Sequence, residues 1–416
     1  MSEGGCDKRQ QKAALKSLEE AQAFLLSQAR PVAEWERVAI ADALDRVLAE
    51  PLVSPVDVPP WNNSAMDGYA VRAADLIGAR PRLRVTQRIP AGSCGTSLEA
   101  GTAARIFTGA PMPPGADTVV IQEVCERQGE EIIINEPPGP GANVRQAGED
   151  IRRGHELLPA GVRLAPQHLG LIASVGVAEI PVFRRLKVAL FSSGDELVAP
   201  GGELAPGQIY NSNQFTLGGL VRRLGCEVID LGRVADNLEA TCEALARGAG
   251  QADLVLASGG VSVGEEDHVK PAVERLGSLD LWKIAIRPGK PLAFGHIGAT
   301  PFIGAPGNPV SLFVTFLLFA RPFILKSQGV GAGVLPLPFS VRAGFDWPQP
   351  NQRREFARAR LEVNQQGERV VALYPSRSSG VLSSVVWANG LVEIPEQRTI
   401  SKGESVNFLP FCELLS

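Results

Sequence analysis

From Leu186 onward, short apolar-rich runs alternate with helix-like segments, and no other feature limits the fold of this chain as tightly. The runs at 187–191, 227–231 and 253–257 read as buried strands, and the segments at 212–224 and 238–248 between them read as helices. Further strand candidates lie at 280–286, 292–295 and 301–304, and the last feeds a long apolar helix from about 309. Strand–helix alternation with near-continuous apolar strands predicts a parallel, doubly wound α/β sheet. Ligands of such sheets sit outside the carboxyl ends of the strands. Three turns fall at those ends: Ser192-Ser193-Gly194-Asp195-Glu196, Ser258-Gly259-Gly260 and Ala305-Pro306-Gly307-Asn308-Pro309. They are expected to line one edge together.

At 416 residues the chain exceeds what one core sustains, so several domains are expected. Apolar residues recur at helical spacing through Ala14, Leu15, Leu18, Ala21 and Leu25, giving an N-terminal helix within 1–30 that packs on the central domain. A second short helix is predicted at 39–49. Segments 31–50 and 151–185 form a linking domain, helical at 166–175 and extended at 178–182. A proline-rich bridge, Pro51 to Pro60, leads into an inserted β-rich domain over 51–150, with strand candidates at 82–87, 118–122 and 131–135. The central α/β domain spans 186–332, and β-like runs over 333–416 predict a C-terminal all-β domain. The subunit is read as an elongated assembly of these α/β and β-rich parts.

Composition removes several functions. With 41 basic and 45 acidic residues, net charge −4, the chain lacks the overall basic field of many nucleic-acid binders. Six dispersed cysteines without a Cys-x-x-Cys pair, and four histidines, argue against zinc and for a reducing compartment. The N-terminus is polar through Lys16, unlike a signal peptide. The greasy segment Val310 to Leu325 is interrupted by Arg321 and Pro322 and is short for a bilayer, so a buried helix is expected. No membrane contact and a cytoplasmic location follow as expectations. There is no Gly-x-Ser-x-Gly elbow, no Walker loop and no Rossmann fingerprint where a first turn would need it.

What remains points to anions. Glycines after a buried strand let the backbone approach a ligand and aim its amides. The carboxylates just beyond, Glu265, Glu266 and Asp267, suit a hard divalent cation. The same stretch also fits a tight turn and a solvated acidic helix start. Pro309 has the fixed φ of a first helical turn, which puts Ser311 at a helix N-terminus, where free amides favour an oxyanion; a proline-stiffened turn capped by Asn308 fits equally. Lys283, Arg287 and Lys290 place three cations around a Pro-Gly turn, able to hold a tetrahedral oxyanion or to form a solvated hairpin tip. Asp67 before Gly68, and Asp150 after Gly148-Glu149, read in isolation as turn acids.

Taken together the motifs resemble the MoeA-type molybdopterin molybdenumtransferases, the molybdenum insertases that include the E domains of gephyrin and its plant counterpart. The resemblance rests on nine segments in family order. The first five are Asn-Ser-Ala-Met-Asp-Gly-Tyr-Ala at 63–70, Arg-Ile-Phe-Thr-Gly-Ala-Pro at 105–111, Gly-Ala-Asp-Thr-Val-Val at 115–120, Gly-Glu-Asp-Ile at 148–151 and Ser-Ser-Gly-Asp-Glu-Leu at 192–197. Ile-Tyr-Asn-Ser-Asn at 209–213, Ser-Gly-Gly-Val-Ser-Val-Gly-Glu-Glu-Asp at 258–267, Arg-Pro-Gly-Lys-Pro at 287–291 and Pro-Gly-Asn-Pro-Val-Ser at 306–311 complete it.

The resemblance implies a reaction in which adenylylated molybdopterin and molybdate give molybdenum cofactor and AMP, with Mg²⁺ as the metal. It implies a homodimer whose active sites are shared between protomers, serving the molybdopterin adenylyltransferase upstream and apo-molybdoenzymes downstream. By position, Asp67, Asp150, Glu196, Asp236 and Asp267 match the family's functional acids, with Asp267, Asp236 and Glu196 the metal candidates. Thr108, Ser258, Gly259, Gly260, Lys283, Lys290, Pro306, Pro309 and Ser311 fall in the substrate site. Arg358 matches an arginine that helps hold molybdate, and Ser379, or its neighbour Ser378, a C-terminal site serine. Position 287 departs from the family, which commonly has lysine there; Arg287 keeps the charge on a longer, planar fork. Two rival readings are a pterin adenylyltransferase, which shares the central domain, and a non-catalytic dimeric scaffold. The inserted and C-terminal parts argue against the first, and the complete acidic set against the second.

Overall fold

The computed structural model describes residues 15–261 and 268–415. Helix α1 (Leu18–Gln28) starts where the sequence supplies a reciprocal cap. Ser17 Oγ accepts from the Glu20 N–H at 3.1 Å, and the Glu20 carboxylate accepts from the Ser17 N–H at 2.9 Å. Leu18, Ala21 and Leu25 then bury one face of α1 in the central core.

Residues 39–49 do not form the expected second helix. Trp35–Ala39 is a strand paired antiparallel with Glu179–Phe183, and only one 3₁₀ turn, Ile40–Asp42, follows it. Asp45 adopts φ 62°, which ends any right-handed helix, and Leu48 bridges to Val182. Partners more than a hundred residues away override local helical spacing here. Leu48, Leu158, Leu164, Ile172 and Ile180 join this segment to α2 (Pro166–Ser174) in one small core.

The inserted region forms a six-stranded sheet in the order 118–121, 68–71, 102–106, 82–89, 131–134, 125–128. Strand period two feeds both of its faces: Tyr69 and Val71 enter one core and Ala70 the other.

The central sheet is built from β1 (Lys187–Ser193), β2 (Glu227–Val234), β3 (Leu254–Ser258), β4 (Gly277–Lys283), β5 (Pro291–Ile297) and β6 (Thr300–Ala305), in the order β2-β1-β3-β6-β5-β4. β1, β2, β3 and β6 are parallel, but β5 runs antiparallel to both β4 and β6. The sheet is therefore mixed rather than wholly parallel. Only Gly298 and Ala299 separate β5 from β6, a link too short for a crossover, so the two strands make a hairpin. Winding on both faces holds: α1 and α3 (Ser212–Arg223) cover one face, and α4 (Leu238–Gln251) and α5 (Val269–Leu276) the other.

The apolar helix runs without a break from Pro309 to Ser327, as α6 (Pro309–Thr315), a π turn over Phe316–Ala320 and α7 (Arg321–Ser327). Arg321 and Pro322 do not end it, because the wider π turn precedes the proline and absorbs its missing donor. At 19 residues and mean hydropathy 1.6 it is long and apolar enough to cross a membrane, yet 94% of it is buried inside the protein.

Strands β7 (Phe339–Ala343), β8 (Arg354–Val363), β9 (Arg369–Leu373), β10 (Gly390–Ile394) and β11 (Ser405–Pro410) close on themselves in the order β8-β9-β7-β11-β10-β8. Val341, Ala359, Val371, Val392 and Phe408 fill this barrel. Ile286–Arg287, from the central part, adds a short parallel pairing onto Arg354–Glu355 at the start of β8.

Candidate active site

β1, β3 and β6 end at one level, with Ser192 opposite Ser258 and Ser258 opposite Ala305. The three turns that follow open onto one cavity of about 840 Å³. Glycine is required where they meet. Gly259 has φ 85°, and a Cβ there would lie 2.8 Å from the Ser193 carbonyl oxygen. The Gly259 N–H donates to the Ala305 carbonyl at 3.1 Å, tying the second turn to the third. Gly260 is also left-handed, at φ 65°. Such successive positive-φ glycines turn amides toward an anion.

Glu196 and Asp236 reach this cavity from the ends of β1 and β2. Ser193 Oγ donates to Asp236 Oδ1 at 3.2 Å, which orients that carboxylate. Ser258, Gly259, Gly260, Pro306, Pro309 and Ser311 line the cavity as well. Asn308 begins α6 by backbone geometry, without a side-chain cap. One first-turn amide, that of Val310, is taken by the Ser379 carbonyl at 3.0 Å. Ser379 thus meets the site through its backbone, and Gly380 beside it lines the cavity.

Arg358 is 3% exposed and works one step behind. Its Nε donates to Ser384 Oγ at 3.0 Å, and one terminal nitrogen donates to the Ser376 and Ser378 carbonyls at 2.7 and 3.1 Å. The fork therefore clamps the 376–380 loop. Burial lowers the Arg358 pKa from its ordinary value; Glu355 works against that shift, and Arg287 and Arg377 add to it. Glu355, itself 1% exposed, is the counter-charge, held by the Arg377 fork, which stacks on Trp347 at 4.1 Å.

The remaining predicted residues that are described lie outside the lining of this cavity. Arg287 follows Ile286 into the pairing with β8; the turn after it packs on α6, where a Cβ on Gly289 (φ 104°) would lie 2.4 Å from Thr315 Cγ2. Lys283 and Lys290 are exposed on either side, and Pro291 is where this turn reaches the cavity. Asp67 and Thr108 meet each other in the inserted region: Asp67 Oδ1 accepts from the Thr108 N–H and from Thr108 Oγ1, each at 2.8 Å. Those two bonds, backbone first, hold the Asp67 carboxyl below the usual aspartate range. Asp150 is exposed, its N–H bonded to the Val58 carbonyl at 3.0 Å. Asp267 lies outside the described residues.

Sequence reasoning passed over Asn213, whose Nδ2 donates to Ser258 Oγ at 2.8 Å and to the Gly307 carbonyl at 2.7 Å. It also passed over Arg377 and Glu355. A glutamate in a strand and an arginine in a distant loop give no local sign that they pair behind a cleft.

For Mg²⁺ the donors are of the right kind. Glu196 and Asp236 offer hard oxygens on one wall of the cavity, although no group of three metal-binding side chains occurs among the described residues.

Comparison with known proteins gives matches along most of the chain. Family models match for the MoeA N-terminal region (domain I and II) at residues 16–176, a probable molybdopterin binding domain at 189–326 and the MoeA C-terminal region (domain IV) at 340–411. A molybdopterin molybdenumtransferase of Haemophilus influenzae is 40% identical over 401 residues, 96% of this chain and 99% of that protein. One from a Nostoc species is 38% identical over 389 residues, 90% of this chain and 88% of its own. A crystal structure of a molybdopterin biosynthesis MoeA protein from Pyrococcus horikoshii superposes with a TM-score of 0.84 at 30% identity, covering 95% of this chain and 100% of that one.

Proposed function

This chain belongs to the molybdopterin molybdenumtransferase family, transferases of molybdenum cofactor biosynthesis, and we propose that its strand-end cavity is where molybdate is inserted into adenylylated molybdopterin with release of AMP. The observation that carries this reading is the convergence of three glycine-bearing turns, two carboxylates and Ser311 on one 840 Å³ space. The pyrophosphate of the substrate rests on the Gly260 amide and the Gly307 turn, the Gly259 amide being held by the Ala305 carbonyl. Glu196 and Asp236, with Asp267, would hold Mg²⁺, which would offset charge on the phosphates.

Molybdate, a small dianion, is assigned to the α6 end of the cavity. Ser311 lines that end, and the Arg287–Lys290 turn and the loop clamped by Arg358 stand beside it. Charge-assisted bonds of this type suit an oxyanion. Asp67 and Thr108, which do not line the cavity of their own chain, are assigned to the site of a second subunit in a homodimer. The five described cysteines, all free thiols, support a reducing, cytoplasmic setting, where the adenylyltransferase supplies the substrate and apo-molybdoenzymes take the product.

The test is AMP release from adenylylated molybdopterin by the purified protein, with Mg²⁺, with and without molybdate. Release that depends on molybdate is the expected result. Pterin binding without AMP release under any metal or oxyanion would overturn the catalytic reading.

A further inference from the structure

Asn213 sits in the first turn of α3, and its carboxamide reaches from there to the sheet edge, where Nδ2 bridges Ser258 Oγ and the Gly307 carbonyl. A carbonyl oxygen only accepts, so the contact with Gly307 identifies which end of the amide is nitrogen. Both amide protons are then in use. The Ser258 hydroxyl has received one of them, and its own proton finds no acceptor among the described residues. Ser258 lines the cavity. Its hydroxyl proton is left uncommitted by the described residues. The other end of Asn213, Oδ1, is buried with no hydrogen-bond partner among the described residues. An unpaired buried acceptor costs stability, so the benefit of an asparagine at this position lies with its nitrogen.

We infer that Asn213 is a positioning residue for the substrate's phosphates: it holds the Ser258 hydroxyl as a donor toward the cavity. This rests on the cavity being the adenylylated-pterin site. A donor fixed in this way selects phosphoryl oxygens, which only accept, over ligand N–H groups.

Calorimetric titration of the full-length protein with AMP in Mg²⁺ tests the inference. The proteins compared are wild type, Asn213→Ala, Asn213→Leu, Ser258→Ala and the Asn213→Ala/Ser258→Ala double variant. Leucine keeps the volume without the amide, so it serves if the alanine variant fails to fold. Each single change is expected to weaken AMP about tenfold, the size of one charge-assisted bond. The double variant is expected to be little weaker than Ser258→Ala, because both changes remove the same donor. A merely structural asparagine would instead give multiplied effects, about a hundredfold in the double variant. Multiplied effects, or wild-type affinity in both Asn213 variants, would overturn the inference and leave the cavity assignment standing. A wild-type protein that does not bind AMP would overturn the assignment, and the inference with it.

Discussion

Truncating Arg358 to alanine is expected to loosen the 376–380 loop before it unfolds anything else. The guanidinium makes three bonds, to Ser384 Oγ, to the Ser376 carbonyl and to the Ser378 carbonyl, at 3.0, 2.7 and 3.1 Å. A bond from a charged donor contributes about 1.5–3 kcal/mol. Three from one fork do not add, and the freed loop carbonyls regain water. Opening of the loop should therefore become easier by about 2–4 kcal/mol. At about 1.4 kcal/mol per tenfold, that is exchange faster by about 30-fold to 1,000-fold. The amide of Val310 is the reporter, because its acceptor is the Ser379 carbonyl 3.0 Å away. Barrel amides such as that of Val392 serve as the control. Native-state hydrogen exchange, followed by NMR under conditions where it reports equilibrium opening, reads both. Wild-type exchange at Val310 in the Arg358→Ala protein would refute the clamp. Loss of molybdate dependence in that same protein would then place Arg358 directly on the anion, through its remaining terminal nitrogen.

Gly259→Ala sets a Cβ 2.8 Å from the Ser193 carbonyl in a left-handed residue, so we expect about 1–2 kcal/mol of backbone cost plus the clash. A lowered melting temperature and at least tenfold slower AMP release are the readouts, and wild-type values for both would contradict the packing described for the three turns. Thr108→Val removes one of two donors to Asp67, whose pKa is lowered in the folded state. That lowering means the Asp67–Thr108 contact is at full strength above the ordinary aspartate pKa and is lost as pH falls through the lowered one. The valine variant should move the Asp67 titration upward, as carboxyl-carbon NMR can record. Chelating Mg²⁺ should stop AMP release and adding it back should restore it; Glu196→Gln should raise the Mg²⁺ concentration needed. A Glu196→Gln enzyme with an unchanged Mg²⁺ requirement would remove Glu196 from the metal.

Local chemistry made much of the centre legible from sequence. A buried strand that ends in Ser-Gly-Gly has few ways to leave its sheet, and the positive φ of Gly259 and Gly260 is what those residues allow at low cost. The strands 187–191 and 253–257 were visible because burial on both faces demands unbroken apolar runs. Long-range pairing was not visible. Trp35–Ala39 became a strand because Glu179–Phe183 was there to receive it, and β5 turned back because its link to β6 is two residues long. The role of Arg358 required knowing where the Ser376 and Ser378 carbonyls lie. Asn213 carried no charge to attract notice, although the motif around it did.

The pairing of Ile286–Arg287 with Arg354–Glu355 also bears on how pieces of such proteins could be exchanged. It makes two residues ahead of the cation turn an extra strand of the C-terminal barrel sheet, while Gly289, two residues later, packs on α6. A chimera cut in the glycine-bearing stretch at 329–333 would take β8 from one parent and its partner strand from the other. Arg287 would then enter a ladder with a foreign neighbour. Residues 284–291 and the barrel thus form one heritable unit, although the whole of α6 and α7 separates them along the chain.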